Sequence, residues 1–221
     1  MKNILAAVWL CAGLQFSAIA QDPVIVSPQW LNEHRQDPGL VILYTGFVVK
    51  ADFDKEHIEG SRFLWPEWLA YNTPDANMNA PDAKQATKVL QDLGINRDSR
   101  VVICHRGADV TIAARMFLSL EYFGLKGQVH FLNGGLEAWK KAGYPVTNKP
   151  SIFKKGNYVA TVDPVLVKKE YVVQALQTGS SEVVDARLKR WYDGDITGNP
   201  RDGHITGAKN IHFPDMVYYT N

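Results

Sequence analysis

Two hydrophobic rhythms alternate along this chain. Leu40-Val41-Ile42-Leu43, Val101-Val102-Ile103 and Val129 to Leu132 are short, nearly continuous apolar runs of the kind that form strands buried on both faces. Between them apolar residues recur at helical spacing. Ala86, Val89, Leu90 and Leu93 do so from Asp82 to Leu93, with Gly94 as a stop. Ile112, Ala113, Met116, Phe117 and Leu120 share one face from Thr111 to Phe123, ended by Gly124. Trp30, Leu31 and His34 predict a short helix after Pro28. Asn133-Gly134-Gly135 predicts a turn into a helix from Leu136 to Ala142, closed by Gly143. Alternation of strand and helix implies an α/β fold, a parallel sheet flanked by helices on both faces.

Lys149 to Gly156 is polar, contains Pro150, and interrupts the pattern. The rhythm then restarts. Val167 to Gln177 predicts a helix and Val183-Val184-Asp185 a strand, and Asp163-Pro164 echoes Ser27-Pro28. The pentad His57-Ile58-Glu59-Gly60-Ser61 returns as His204-Ile205-Thr206-Gly207-Ala208, each followed by apolar or aromatic residues. The expected organisation is a complete domain over residues 21–148, a linker over 149–161, and an incomplete second copy over 162–221 that stops before any counterpart of the Cys104 segment.

The first twenty residues follow another pattern. Lys2 precedes an apolar run from Ile4 to about Phe16, then Ala18-Ile19-Ala20, as in a secretory signal peptide over residues 1–20. The run falls short of the about 20 residues that a membrane helix needs. Export to a periplasm or outside medium is expected, without a stable membrane span after cleavage. The formal charge of +1 with scattered basic residues gives no footprint for nucleic acid.

Export sharpens the cysteine count. The chain has two, and Cys11 falls in the leader, so Cys104 would be a lone thiol in an oxidising compartment. It ends an apolar strand, and Cys104-His105-Arg106-Gly107-Ala108-Asp109-Val110 leads into a helix. A loop entering a helix N-terminus can point amides and the helix dipole at a thiolate, lowering its pKa from about 8.5 to roughly 3.5–7.5. The expectation is a poised nucleophile. The plain alternative is a small buried hydrophobe at a strand end. Asp109 suits a helix cap better than a catalytic acid. His57 and His204 suit turns better than a metal site, since no further ligands cluster with them. A cysteine phosphatase would need an arginine where Val110 stands.

The order of Val26-Ser27-Pro28 with Trp30-Leu31, His57-Ile58-Glu59-Gly60, Val101-Val102-Ile103-Cys104, Ala113-Ala114-Arg115, and Leu132-Asn133-Gly134-Gly135-Leu136 with Trp139 resembles the two-domain form of the rhodanese family of sulfurtransferases. Asp185-Ala186-Arg187 with Gly203 to Ala208 resembles the front of the second domain. The resemblance implies a rhodanese-like sheet with an incomplete second copy. It also implies transfer of a sulfane sulfur from a small anionic donor, thiosulfate or 3-mercaptopyruvate, to cyanide or a thiol through a Cys104 persulfide. No metal or organic cofactor is implied. His105, Arg106, Gly107, Ala108, Asp109 and Val110 would bind substrate, and Arg187 would belong to a second-domain site. Departures open an alternative. Two-domain members usually keep the reactive cysteine in the second domain, and the family's first-domain Asp and Arg are Tyr44 and Gly46 here. Residues 21–148 could therefore be a non-catalytic half that binds or braces.

Overall fold

The computed structural model describes residues 22–46, 50–74, 76–107, 109–196, 198 and 201–216. The predicted signal peptide and Cys11 lie outside them. Among the described residues no helix is long and apolar enough to cross a membrane.

The first unit runs β1 (Ile25–Val26), α1 (Pro28–His34), β2 (Leu40–Tyr44), α2 (Lys50–Lys55), β3 (Arg62–Phe63), α3 (Ala83–Asp92), β4 (Arg100–Cys104), α4 (Thr111–Leu120), β5 (Val129–Leu132) and α5 (Gly135–Lys141). All pairings in its sheet are parallel, in the order β1-β5-β4-β2-β3. Local chemistry sets the helix starts. The Ser27 hydroxyl accepts from Trp30 N–H ahead of Pro28, and the Asp82 carboxylate accepts from Gln85 N–H at 2.7 Å. Past Leu120 the helix α4 widens into a π-type turn over Glu121–Leu125, where Gly124 takes φ +94°.

The central strands have no polar face because both of their faces are covered. Val41, Leu43, Val101 and Ile103 pack with α3 and α4. Ile42, Tyr44, Val102 and Cys104 pack with Leu31 of α1, Phe53 of α2, and Leu136 and Trp139 of α5. Alternation along β4 thus sends Cys104 to the same side as Val102.

Residues 149–161, expected as a linker, form a strap bound to the first unit. Gly156 N–H donates to Gln91 O at 2.8 Å and Tyr158 N–H to Ile95 O at 3.1 Å. The buried Tyr158 hydroxyl donates to Phe123 O at 2.9 Å. Gly156 passes so close to α3's exit that an added Cβ would stand 2.0 Å from Ile95 O.

Beyond the strap lie α6 (Lys169–Thr178), β6 (Val184–Asp185), α7 (Lys189–Asp193) and β7 (Lys209–Asn210), with β6 and β7 parallel. The two histidine turns match in detail. His57 hydrogen-bonds Phe53 O through Nδ1 at 2.7 Å and stacks on that ring at 4.0 Å. His204 does the same with Tyr192, at 2.7 and 3.6 Å. Each turn stands between a short helix and the second strand of a parallel pair.

Gly156→Ala should detach the strap and cost about 1–3 kcal/mol, the range for forcing atoms into a packed site. Urea denaturation reads the loss, and faster proteolysis at residues 149–161 localises it. An unchanged midpoint would show that the strap is not held there.

Candidate active site

The sheet has one place where its connections part. From β2 the chain crosses by α2 to β3 on one side, and from β4 it crosses by α4 to β5 on the other. The two helices cover opposite faces. The loops leaving the carboxyl ends of β2 and β4 therefore separate, and such a switch point is where open α/β sheets take ligands. Its floor is the register pair Tyr44 and Cys104, with Thr45 N–H donating to Cys104 O at 3.0 Å.

The loop after β4 is held by the Asn133–Leu136 motif. Gly134 and Gly135 take φ of +67° and +59°, which residues with a Cβ avoid. Gly135 also has no room for one, since an added Cβ would lie 2.3 Å from His105 O. This approach lets Leu136 N–H donate to that carbonyl at 2.8 Å. The His105 ring is buried near Phe131, and its Nδ1 faces Gly107 O at 3.2 Å. A carbonyl only accepts, so Nδ1 carries the proton. Burial lowers the His105 pKa, which keeps the ring neutral. Gly107 makes the turn at φ +73°. The Asp109 carboxylate accepts from Thr111 N–H at 2.9 Å and its hydroxyl at 2.6 Å, while Val110 occupies the N-cap position itself. Asp109, expected as the helix cap, sits one residue before the cap and accepts from the first residue of α4 instead. Ala108 lies outside the described residues.

The surroundings of Cys104 reverse the expectation of a stabilised thiolate. The residue is 0% exposed. Its Sγ–H points to His105 O at 3.8 Å, a carbonyl rather than an amide. Burial pushes the thiol pKa far up, and the Glu137 carboxylate adds to the rise. The paired Tyr44 hydroxyl is pushed up to about 12, by burial first and by Cys104 and Asp52 next, with Arg106 opposing. Neither that hydroxyl nor Thr45 Oγ1 has a hydrogen-bond partner among the described residues.

Arg106, expected to attract an anionic donor, is clasped by acids. Its Nη2 lies 3.1 Å from Glu56, its Nε 3.6 Å from Glu137, and its Nη1 3.8 Å from Asp52. Lys140 holds Glu56 at 3.0 Å, and that hydrogen bond lowers the Glu56 pKa most. These three carboxylates were not read from the sequence, although Asp52 and Glu56 stand one helical turn apart and Glu137 opens α5. Arg187 lies in the turn just after β6, in the unit beyond the strap. It grips Asp185 through Nε at 2.9 Å and Nη2 at 2.5 Å, donates to Gly203 O, and lowers the Asp185 pKa. Among the described residues no group of three or more His, Cys, Asp or Glu could hold a metal.

The family profile described as the rhodanese-like domain matches residues 27–142. The chain belongs to the rhodanese family. Among curated relatives, the rhodanese chain is 30% identical over 211 residues to the thiosulfate sulfurtransferase of Mus musculus, covering 87% of this chain and 70% of that one. It is 29% identical to the sulfur carrier protein TtuD of Thermus thermophilus, covering 90% and 72%. It is 25% identical to the 3-mercaptopyruvate sulfurtransferase of Escherichia coli, covering 87% and 72%. The crystal structure of SseA from Escherichia coli superposes with a TM-score of 0.79 at 24% identity, over 89% of this chain and 78% of that chain, and shares the fold. The motifs of the first unit are thus those of a rhodanese sheet, with an acid-lined arginine at the mouth of the loop.

A buried thiol should resist reagents. Iodoacetamide at neutral pH should alkylate Cys104 in urea but not in the folded protein, read by intact mass. Rapid native alkylation would show an open loop. The folded state also holds the Cys104 and Tyr44 protons more tightly than the unfolded chain. That stability is fully present below the unfolded thiol pKa of about 8.5 and is lost as pH rises toward the raised folded values. Urea midpoints should fall from about pH 9 upward, with a shallower slope in Cys104→Ala. A pH-independent midpoint over that range would contradict the burial.

Proposed function

We propose that this rhodanese chain serves sulfur transfer, with residues 22–148 as a binding and bracing half rather than the sulfur carrier. One observation carries the reading: Cys104 is sealed beneath its loop, with its thiol aimed at a carbonyl. An attacking thiolate needs access and a lowered pKa, and this thiol has neither. The acids around Arg106 add an electrostatic reason, because thiosulfate and mercaptopyruvate are anions. The sulfurtransferase names of the relatives support sulfur transfer as the chemistry of the whole protein. In this reading the similar unit from about residue 162 onward belongs to the reactive half. Asp185 and Arg187, already paired, would orient its loops. The pattern of residues 1–20 supports export to a periplasm or beyond.

A second reading rests on the place of Cys104, at the carboxyl end of β4 beside the switch point. There the thiolate would attack the outer sulfur of thiosulfate, break its S–S bond and release sulfite. Cyanide or a thiol would then remove the persulfide sulfur and regenerate the thiolate. This covalent route splits one transfer into two steps and needs no cofactor. It requires the loop to lift away from Leu136.

Intact mass after incubation with thiosulfate separates the two. The expected result is that folded wild type gains no sulfur on Cys104 and matches Cys104→Ser. A gain of one sulfur atom that cyanide reverses, absent in Cys104→Ser, would overturn the bracing role and establish the persulfide route.

A further inference from the structure

At the opposite end of the sheet from Cys104, a cavity of about 430 Å³ lies between the start of β2 and the strap. That volume is within the range of small-molecule sites, roughly 300–1,000 Å³. Its charged lining is Arg35, Arg62 and Lys149 against Glu59 alone. Glu59 pairs with Arg35 at 3.3 Å, so positive charge remains in excess.

Arg62 is the centre of the argument. Its Nη1 donates to Leu93 O, and its guanidinium stacks on the Phe153 ring at 4.3 Å. Both contacts fix the plane of the group. Its Nε is buried without an acceptor, and among the described residues no carboxylate pairs with it. Burial accordingly lowers its pKa. Ser151 Oγ, on the same cavity, is also buried and without a partner among the described residues. A buried Nε–H and a buried hydroxyl without partners among the described residues are both costly, and an anion seated between them would satisfy both. The Nε–H edge of a guanidinium presents two parallel donors that match a carboxylate or phosphoryl group. Leu40, Ile42 and Pro150 supply apolar wall beside these donors.

We propose that this cavity binds a small organic anion, carboxylate or phosphoryl at one end and apolar at the other. Its charged end sits on Arg62 Nε and Ser151 Oγ, Lys149 closes over it from the rim, and its apolar body lies on the β2 residues. The site is separate from the loop after β4 and does not depend on which residue carries sulfur.

Calorimetric titration of the full chain at low salt tests this with benzoate and phenyl phosphate, and with neutral benzyl alcohol as control. Saturable one-site binding is expected for at least one anion and none for the alcohol. Arg62→Lys keeps the charge but removes the fork, and should weaken binding about tenfold. Lys149→Met, at the rim, should weaken it severalfold and provides the decisive comparison if Arg62→Lys does not fold. The stronger anion identifies the charged group as carboxylate or phosphoryl. Failure of both anions to saturate, or unchanged affinity in the folded variants, would overturn the proposal.

Discussion

The hydrogen bond from Leu136 N–H to His105 O governs the chemistry of the loop after β4. It exists because Gly134 and Gly135 bring the start of α5 against that carbonyl, where no Cβ fits. The same oxygen then stands over Cys104 and faces its S–H. Carbonyl oxygen favours the protonated sulfur, whereas a cradle of amides would favour the anion. With the loop root fixed, Arg106 extends toward α2 and α5 and meets their carboxylates. Thiol burial and the acid clasp are two outcomes of one backbone approach.

The ends of the sheet consequently differ in electrical character. At the carboxyl ends of the strands, Asp52, Glu56 and Glu137 surround a single arginine, so that an incoming anion meets repulsion as well as attraction. At the other end, cationic groups outnumber acids in the cavity lining, and one guanidinium is held flat without a carboxylate partner among the described residues. The fold-level rule that ligands enter at the carboxyl ends describes where a site can be built. The charges on this chain decide what each end attracts.

Much of the fold was legible because the long elements carry strong periods. β5 matches its predicted span, and β2, β4, α3 and α5 differ at their ends by a residue or so. β1, β3 and β7, two residues each, were not read as strands from the sequence, whereas β6, equally short, was. The polar composition of residues 149–161, expected as a linker, hides Gly156, Tyr158 and Ala160, whose contacts with the first unit are distant in sequence. At the site, spacing located the loop but not the atoms facing the sulfur. By alternation Cys104 shares the side of Val102, but both sides of the sheet are covered, so alternation alone carried no signal of its burial. The carboxylates around Arg106 come together only through the tertiary arrangement of α2 and α5.

The strap also orders events during synthesis. Its anchors are Gln91 in the last turn of α3, Ile95 just after that helix and Phe123 beyond α4, and Asp163 N–H then reaches Tyr122 O at 2.8 Å. All of these acceptors belong to α3, to the turn after it, or to the π-type turn after α4, and all precede the strap in the chain. The strap therefore seats on elements made before it. The origin of everything from α6 onward is then pinned to a finished surface rather than left to a free tether. Domains made in sequence generally fold in that order. Here the strap's anchors all lie in the unit made first.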